Sequence, residues 1–107
     1  MRKRGRVDAN QASMVLTLRT CGATVQPLSS LGGGCPDLLV GWRGVNLIFE
    51  VKDGKKPRSA RALTEPERIW LQQWKGSAWV VESEAEAVAI LRSTIAQVPL
   101  MERKPRT

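Results

Sequence analysis

Asp37 follows Pro36, and Glu50 is followed by Val51 and Lys52. These are the residues of the chain whose types and spacing suit chemistry. Asp37 and Glu50 lie thirteen residues apart, the separation a short hairpin needs to set them side by side. Lys52 stands two residues past Glu50 and so projects from the same face of an extended strand. Leaving such groups buried and unpaired is expensive, and two neighbouring carboxylates raise each other's pKa. A divalent cation resolves that conflict. Hard ions such as Mg²⁺ take oxygen ligands and keep several waters. The backbone carbonyl of Val51, between Glu50 and Lys52, is a third candidate ligand. Such a cation would acidify and orient a water for attack on a phosphate. Lys52 would hold that water or steady the charge of the transition state. The catalytic candidates are therefore Asp37, Glu50 and Lys52, and the metal-ligand candidates are Asp37, Glu50 and Val51. The plainer alternative is a turn cap at Asp37 and an ion pair between Glu50 and Lys52.

The rest of the composition narrows the chemistry. The 107 residues make one domain, with a core expected over about 7–97 and basic arms at both ends. Seventeen Lys and Arg face ten Asp and Glu, a net charge of +7, which favours a polyanionic partner such as nucleic acid. No apolar run is long enough to span a bilayer, so no membrane association is expected. The basic start, MRKRGRVDANQ, lacks the apolar stretch of a secretory signal. Cys21 and Cys35 then read as free thiols in a reducing cytoplasm. There is no histidine. That excludes His-ligated zinc and His-based acid–base chemistry, and leaves carboxylates, lysine and a metal.

The elements that must position these groups read as follows. A helix over 8–22 has Asp8 as its N-cap, an apolar stripe of Met14, Val15, Leu16 and Leu18, and Gly22 just past its end. A short strand spans 23–28, with Pro27 confining it to an edge or a terminus. The segment SSLGGGC is a loop whose glycines let the backbone approach something closely. DLLVGW and NLIFEVK form a central hairpin around Arg43-Gly44, apolar enough for burial on both faces. A basic loop covers 53–63. Thr64 starts a second helix with Pro66 in its first turn and Glu67 at the capping-box position, and Gly76 ends it. SAWVVE is a third buried-type strand. Ser83 caps a last helix with Glu84 and Glu86 in its first turn and Ala87, Val88, Ile90, Leu91 and Ile95 on its buried face. The order αβββαβα predicts an α/β fold, a small mixed β-sheet flanked by helices.

Pro36-Asp37 and Glu50-Val51-Lys52 match the PD and EXK motifs of the PD-(D/E)XK nucleases. The wider segment GGGCPDLLVGWRGVNLIFEVKDGKKP, the Leu63-Thr64 pair, the Trp-bearing helix and WVVESEAEAVAIL resemble the VRR-NUC family over about residues 7–92. The resemblance implies a restriction-endonuclease-like core and Mg²⁺- or Mn²⁺-dependent DNA cleavage. Small stand-alone members look like phage or bacterial proteins and are similar to resolvases that act as homodimers on four-way (Holliday) junctions. It assigns Asp37, Glu50, Lys52 and the Val51 carbonyl to the site. Related resolvases also carry a glutamate on the first helix, at the position of Gln11 here. Gln11 brings no charge to the site but is able to orient a water. Asp8 and Asn10 are nearby substitutes; Gln11 stands as a fourth catalytic candidate, with a solvated helix residue an equal alternative reading.

Lys55, Lys56, Arg58 and Arg61 directly follow the EXK strand and are placed to grip phosphates. Arg4 and Arg6, with Arg2 and Lys3, offer a second grip, and Arg103, Lys104 and Arg106 a weaker third. Trp70 and Trp74 are spaced one helical turn apart, which reads as core or dimer interface before base stacking. Three functions compete: a structure-specific endonuclease, probed best on branched DNA; a catalytically silent basic module that binds nucleic acid; and a flap nuclease, exonuclease or nickase on the same scaffold.

Overall fold

The computed structural model describes residues 9–94. Its elements are α1 (Ala9–Thr20), β1 (Thr24–Pro27), β2 (Leu38–Trp42), β3 (Val45–Val51), α2 (Arg58–Arg61), α3 (Glu65–Gln73), β4 (Ala78–Val81) and α4 (Glu84–Ser93). This is a mixed α/β fold. The one departure from the expected order is α2, a single helical turn within the basic stretch read as loop. Asp8, Arg4, Arg6, Ile95 and the basic tail lie outside the described residues.

The four strands form one sheet in the order β1-β2-β3-β4. β1, β2 and β3 run antiparallel in sequence, and β4 lies parallel to β3. Parallel neighbours need a crossover, and the stretch carrying α2 and α3 supplies it. Pro27 ends the edge strand β1, where its missing N–H breaks no ladder in the middle of the sheet. β2 turns into β3 at Arg43-Gly44, both at positive φ (48° and 84°), the backbone that a tight two-residue hairpin turn demands.

Strand alternation sorts the sheet into two faces. One carries Leu38, Val40, Leu47, Phe49 and Val81, which join Met14 and Leu18 of α1 and Ala87 and Leu91 of α4 in the core. Each fully buried Leu, Met or Phe there contributes about 1.5–3 kcal/mol. The helical stripe of α1 is narrower than expected: Met14 and Leu18 are buried, but Leu16 is exposed. On α4 only Ala87 and Leu91 are buried, with Val88 and Ile90 half-buried. Two hydroxyls of α1, on Ser13 and Thr17, donate to the Glu84 carboxylate in the first turn of α4. They tie the two helices together and hold that carboxyl below its ordinary range.

The opposite face carries Leu39, Ile48, Glu50 and Val80, with Asp37 and Lys52 at its end. Ile48 and Glu50 are buried there, so β3 is covered on both faces as its apolar sequence predicts. β4 departs from expectation. It is an edge strand with Val81 buried and Trp79 exposed. α3 departs as well. It stops at Gln73 rather than Gly76, and no residue of it is buried. Trp70 and Trp74 stack on each other with ring centroids 4.7 Å apart, and Trp74 is exposed; the pair is not part of the core.

Candidate active site

The hairpin register Leu38↔Phe49 carries one step further to set Asp37 beside Glu50. The ladder is offset at that step. The Asp37 N–H donates to the Phe49 carbonyl at 3.1 Å, one residue out of register, a bulge-like irregularity of the kind that re-aims a side chain. The Asp37 carboxylate then takes over a ladder position: its Oδ2 accepts from the Val51 N–H at 2.8 Å. On the other side of β3, Ile48 and Lys52 donate to Ser77 and Val81 of the β4 arm. Alternation therefore turns the Val51 carbonyl, like its N–H, toward Asp37.

Glu50 is 3% exposed. Burial first, then the charges of Asp37 and Glu67, push its carboxyl up to about 8, against the pull of Lys52. The Lys52 ammonium lies 3.5 Å from Glu50 Oε2 and 2.9 Å from Glu67 Oε1. Burial pulls the Lys52 pKa down, but the hydrogen bond and charge of Glu67, joined by Glu50, outweigh it and hold the ammonium above its ordinary value. Asp37, Glu50 and Lys52 are thus brought together on one face, as their spacing predicts.

Glu67 is the neighbour that sequence reasoning missed. Thr64 and Glu67 form a capping box at the start of α3: Thr64 Oγ1 accepts from the Glu67 N–H at 3.3 Å and Glu67 Oε1 accepts from the Thr64 N–H at 2.9 Å. The same Oε1 accepts from Lys52. Burial raises the Glu67 carboxyl, but the Thr64 N–H and Lys52 together hold it below its usual range. The T-x-x-E pattern marked a helix start; nothing in it says that the carboxylate also reaches a lysine fifteen residues away.

Gly34 explains how α3 comes so close. A Cβ built on Gly34 would fall 2.3 Å from the Pro66 carbonyl oxygen and 3.0 Å from the Glu67 nitrogen. The glycine run thus admits a close backbone approach, as expected, and at Gly34 the group approached is the first turn of α3.

Gln11 is 8% exposed, so it is not a solvated helix residue. Its Nε2 donates to Ser29 Oγ at 3.3 Å, in the loop that leads to Asp37. Its neighbour Asn10 reaches the site strand directly, donating to the Lys52 carbonyl at 3.2 Å. Cys35 and Cys21 are free thiols. Burial, then the charges of Glu50 and Asp37, push the Cys35 thiol up, so it stays protonated near neutral pH and is a poor metal ligand. Lys55, Lys56 and Arg58 are exposed in the stretch that follows β3. Arg61 differs: it donates to the Lys56 carbonyl at 2.8 Å and to Glu82 at 3.0 Å.

Among the described residues, no group of three or more His, Cys, Asp and Glu side chains is arranged to hold an ion. A cation here would rest on the Asp37 and Glu50 carboxylates, the Val51 carbonyl and water. That oxygen-only set fits a hard divalent ion, which commonly takes one or two carboxylates and retains waters. No described helix is long and apolar enough to cross a membrane. Comparison with protein-family models, curated proteins and solved structures finds no match to this chain.

Proposed function

We propose that the chain is a Mg²⁺- or Mn²⁺-dependent deoxyribonuclease of the VRR-NUC type, built on a restriction-endonuclease-like core. The observation that carries this reading is the half-buried Asp37 carboxyl beside the buried Glu50 carboxyl, with the Lys52 ammonium 3.5 Å from Glu50. A structural ion pair would balance its charges. Here two carboxylates share one face with a third, Glu67, already engaged, and Glu50 is held protonated up to about pH 8. Such frustration marks a site built for a further positive charge.

When bound, the cation would acidify an attacking water and neutralise charge on the scissile phosphate. Asp37, Glu50 and the Val51 carbonyl would hold it. Lys52 would donate hydrogen bonds to that water or to a phosphate oxygen. Lys55, Lys56 and Arg58 would meet the flanking backbone. Action on four-way junctions as a homodimer in the cytoplasm of a bacterial or phage-infected cell is the finer form of the reading. One small domain carries one such site, and symmetric cutting of a junction needs two related by a two-fold axis.

The test is cleavage of labelled four-way junction, flap, single strand and linear duplex with Mg²⁺, Mn²⁺ or EDTA. The wild type is expected to cut the junction only with metal, and Lys52→Ala and Asp37→Asn to bind it without cutting. Binding without cuts under every condition would leave a silent nucleic-acid-binding module. Equal cutting of linear duplex would overturn the junction preference. Gel filtration reads the dimer.

A further inference from the structure

We infer that Glu67 is a positioning residue: it fixes the Lys52 ammonium beside the Asp37–Glu50 pair, and the capping box of α3 aims it there. The inference rests on reading Lys52 as a reacting group of the proposed nuclease.

A lysine ammonium sits on a flexible four-carbon stem and holds no direction by itself. At 3.5 Å, the contact with Glu50 is too long to be a good hydrogen bond. The 2.9 Å contact with Glu67 is one. Both side chains of that pair are largely covered, 14% and 20% exposed, so it is not a solvent-screened surface bridge of the sort that contributes little.

Glu67 is itself held on three sides. The Thr64 N–H fixes its Oε1, the Thr64 hydroxyl fixes its backbone N–H, and Gly34 lets the loop before Asp37 close against its helical turn. The loop that delivers Asp37 therefore also sets the distance from which Glu67 reaches Lys52. A glutamate needed only as a helix cap has its requirement met by Thr64 alone. The placement of the same oxygen on Lys52 is what the cap does not explain.

The full-length protein, labelled with ¹⁵N-lysine, tests this through the ammonium resonances. Wild type is expected to show one slowly exchanging ammonium signal, assigned by its loss in Lys52→Ala. Glu67→Gln keeps an acceptor oxygen and the capping box, and should retain the signal. Glu67→Asp still favours a helix start but falls one methylene short of Lys52, and should lose the signal, as should Glu67→Ala. On a cut DNA, Glu67→Asp and Glu67→Ala should lower kcat by about 10- to 100-fold with KM little changed, and Glu67→Gln should recover most of it. Ser83→Ala, which removes the cap of α4, controls for lost stability and should leave kcat unchanged. The inference falls if Glu67→Asp and Glu67→Ala keep the ammonium signal, or if their kcat matches that of Ser83→Ala. If the wild type cuts no DNA, the nuclease reading fails, and the ammonium signal alone still decides whether Glu67 fixes Lys52.

Discussion

The backbone N–H of Val51 donates to Oδ2 of Asp37 across 2.8 Å, so the carboxyl just ahead of β2 is tied to the last residue of β3, between Glu50 and Lys52. Asp37 is thus both a piece of the ladder and a candidate ligand, and substitutions should separate the two roles. Asn keeps an acceptor for Val51, so Asp37→Asn should fold with near wild-type stability. Asp37→Ala leaves a partly buried N–H without that acceptor and should cost about 1–3 kcal/mol. Both should lose any stabilisation by added Mg²⁺ or Mn²⁺. Urea unfolding at pH 6 is the measurement, because Glu50 is then protonated and relief of its repulsion with Asp37 does not enter. An Asp37→Ala protein as stable as wild type would show that the contact carries no weight.

Glu50 makes stability depend on pH in an unusual direction for a carboxylate. An ordinary glutamate titrates near 4.5, but burial and its acidic neighbours push Glu50 up to about 8. The folded state therefore binds this proton more tightly than the unfolded state does. The stability that this carboxyl contributes is complete below about 4.5 and is lost as the pH rises through 8. In metal-free buffer the thermal midpoint of wild type should fall between pH 5 and 9 more steeply than that of Glu50→Gln. Mg²⁺ or Mn²⁺ should restore it most above pH 8, where the carboxylate is free of its proton. Parallel profiles for wild type and Glu50→Gln would refute the account.

How far the sequence foretold this site depends on whether a feature is local. The hairpin of β2 and β3, the shared face of Glu50 and Lys52, the caps at Thr64 and Ser83 and the edge position of Pro27 all follow from strand period, turn chemistry or backbone hydrogen bonding. The departures are tertiary. Leu16 fits the helical stripe of α1 as well as Val15 does, but only the rotation of the packed helix tells them apart. Gln11 reads equally well as a site residue or a solvated one, and only the packing of α1, which turns it inward toward Ser29, decides against the solvated reading. Trp70 and Trp74 have core spacing, yet α3 docks by its first turn and leaves them on each other. Glu67 meets Lys52 because Gly34 admits Pro66, a contact between residues 32 apart in the chain that no local pattern encodes.

The four cations after β3 should not act alike on nucleic acid. Lys55, Lys56 and Arg58 are exposed, whereas Arg61 is bound to Glu82 and to the Lys56 carbonyl. If the exposed three contact duplex phosphates, changing each to Gln should reduce the slope of log K against log salt by about 0.9. Arg61→Gln should leave that slope nearly unchanged and lower the thermal midpoint instead. Fluorescence anisotropy with a labelled junction over a salt series, alongside thermal melts, reads both quantities. Equal slope changes for all four residues would show that Arg61 leaves Glu82 to meet DNA.

Gly33 and Gly34 share a left-handed backbone, φ 65° and 84°, but differ in what surrounds them. A Cβ on Gly33 meets nothing within 4 Å, while one on Gly34 would lie 2.3 Å from the Pro66 carbonyl oxygen. Gly33→Ala should therefore cost only the backbone term, about 1–2 kcal/mol. Gly34→Ala carries the same term and must also push the first turn of α3 away from the loop, for about 1–3 kcal/mol more. That displacement moves Glu67 off Lys52, so Gly34→Ala should also weaken the Lys52 ammonium signal, and Gly33→Ala should not. Chemical unfolding and the lysine spectrum of the two variants make the comparison. Equal stabilities and equal spectra would mean that the loop does not set the position of α3.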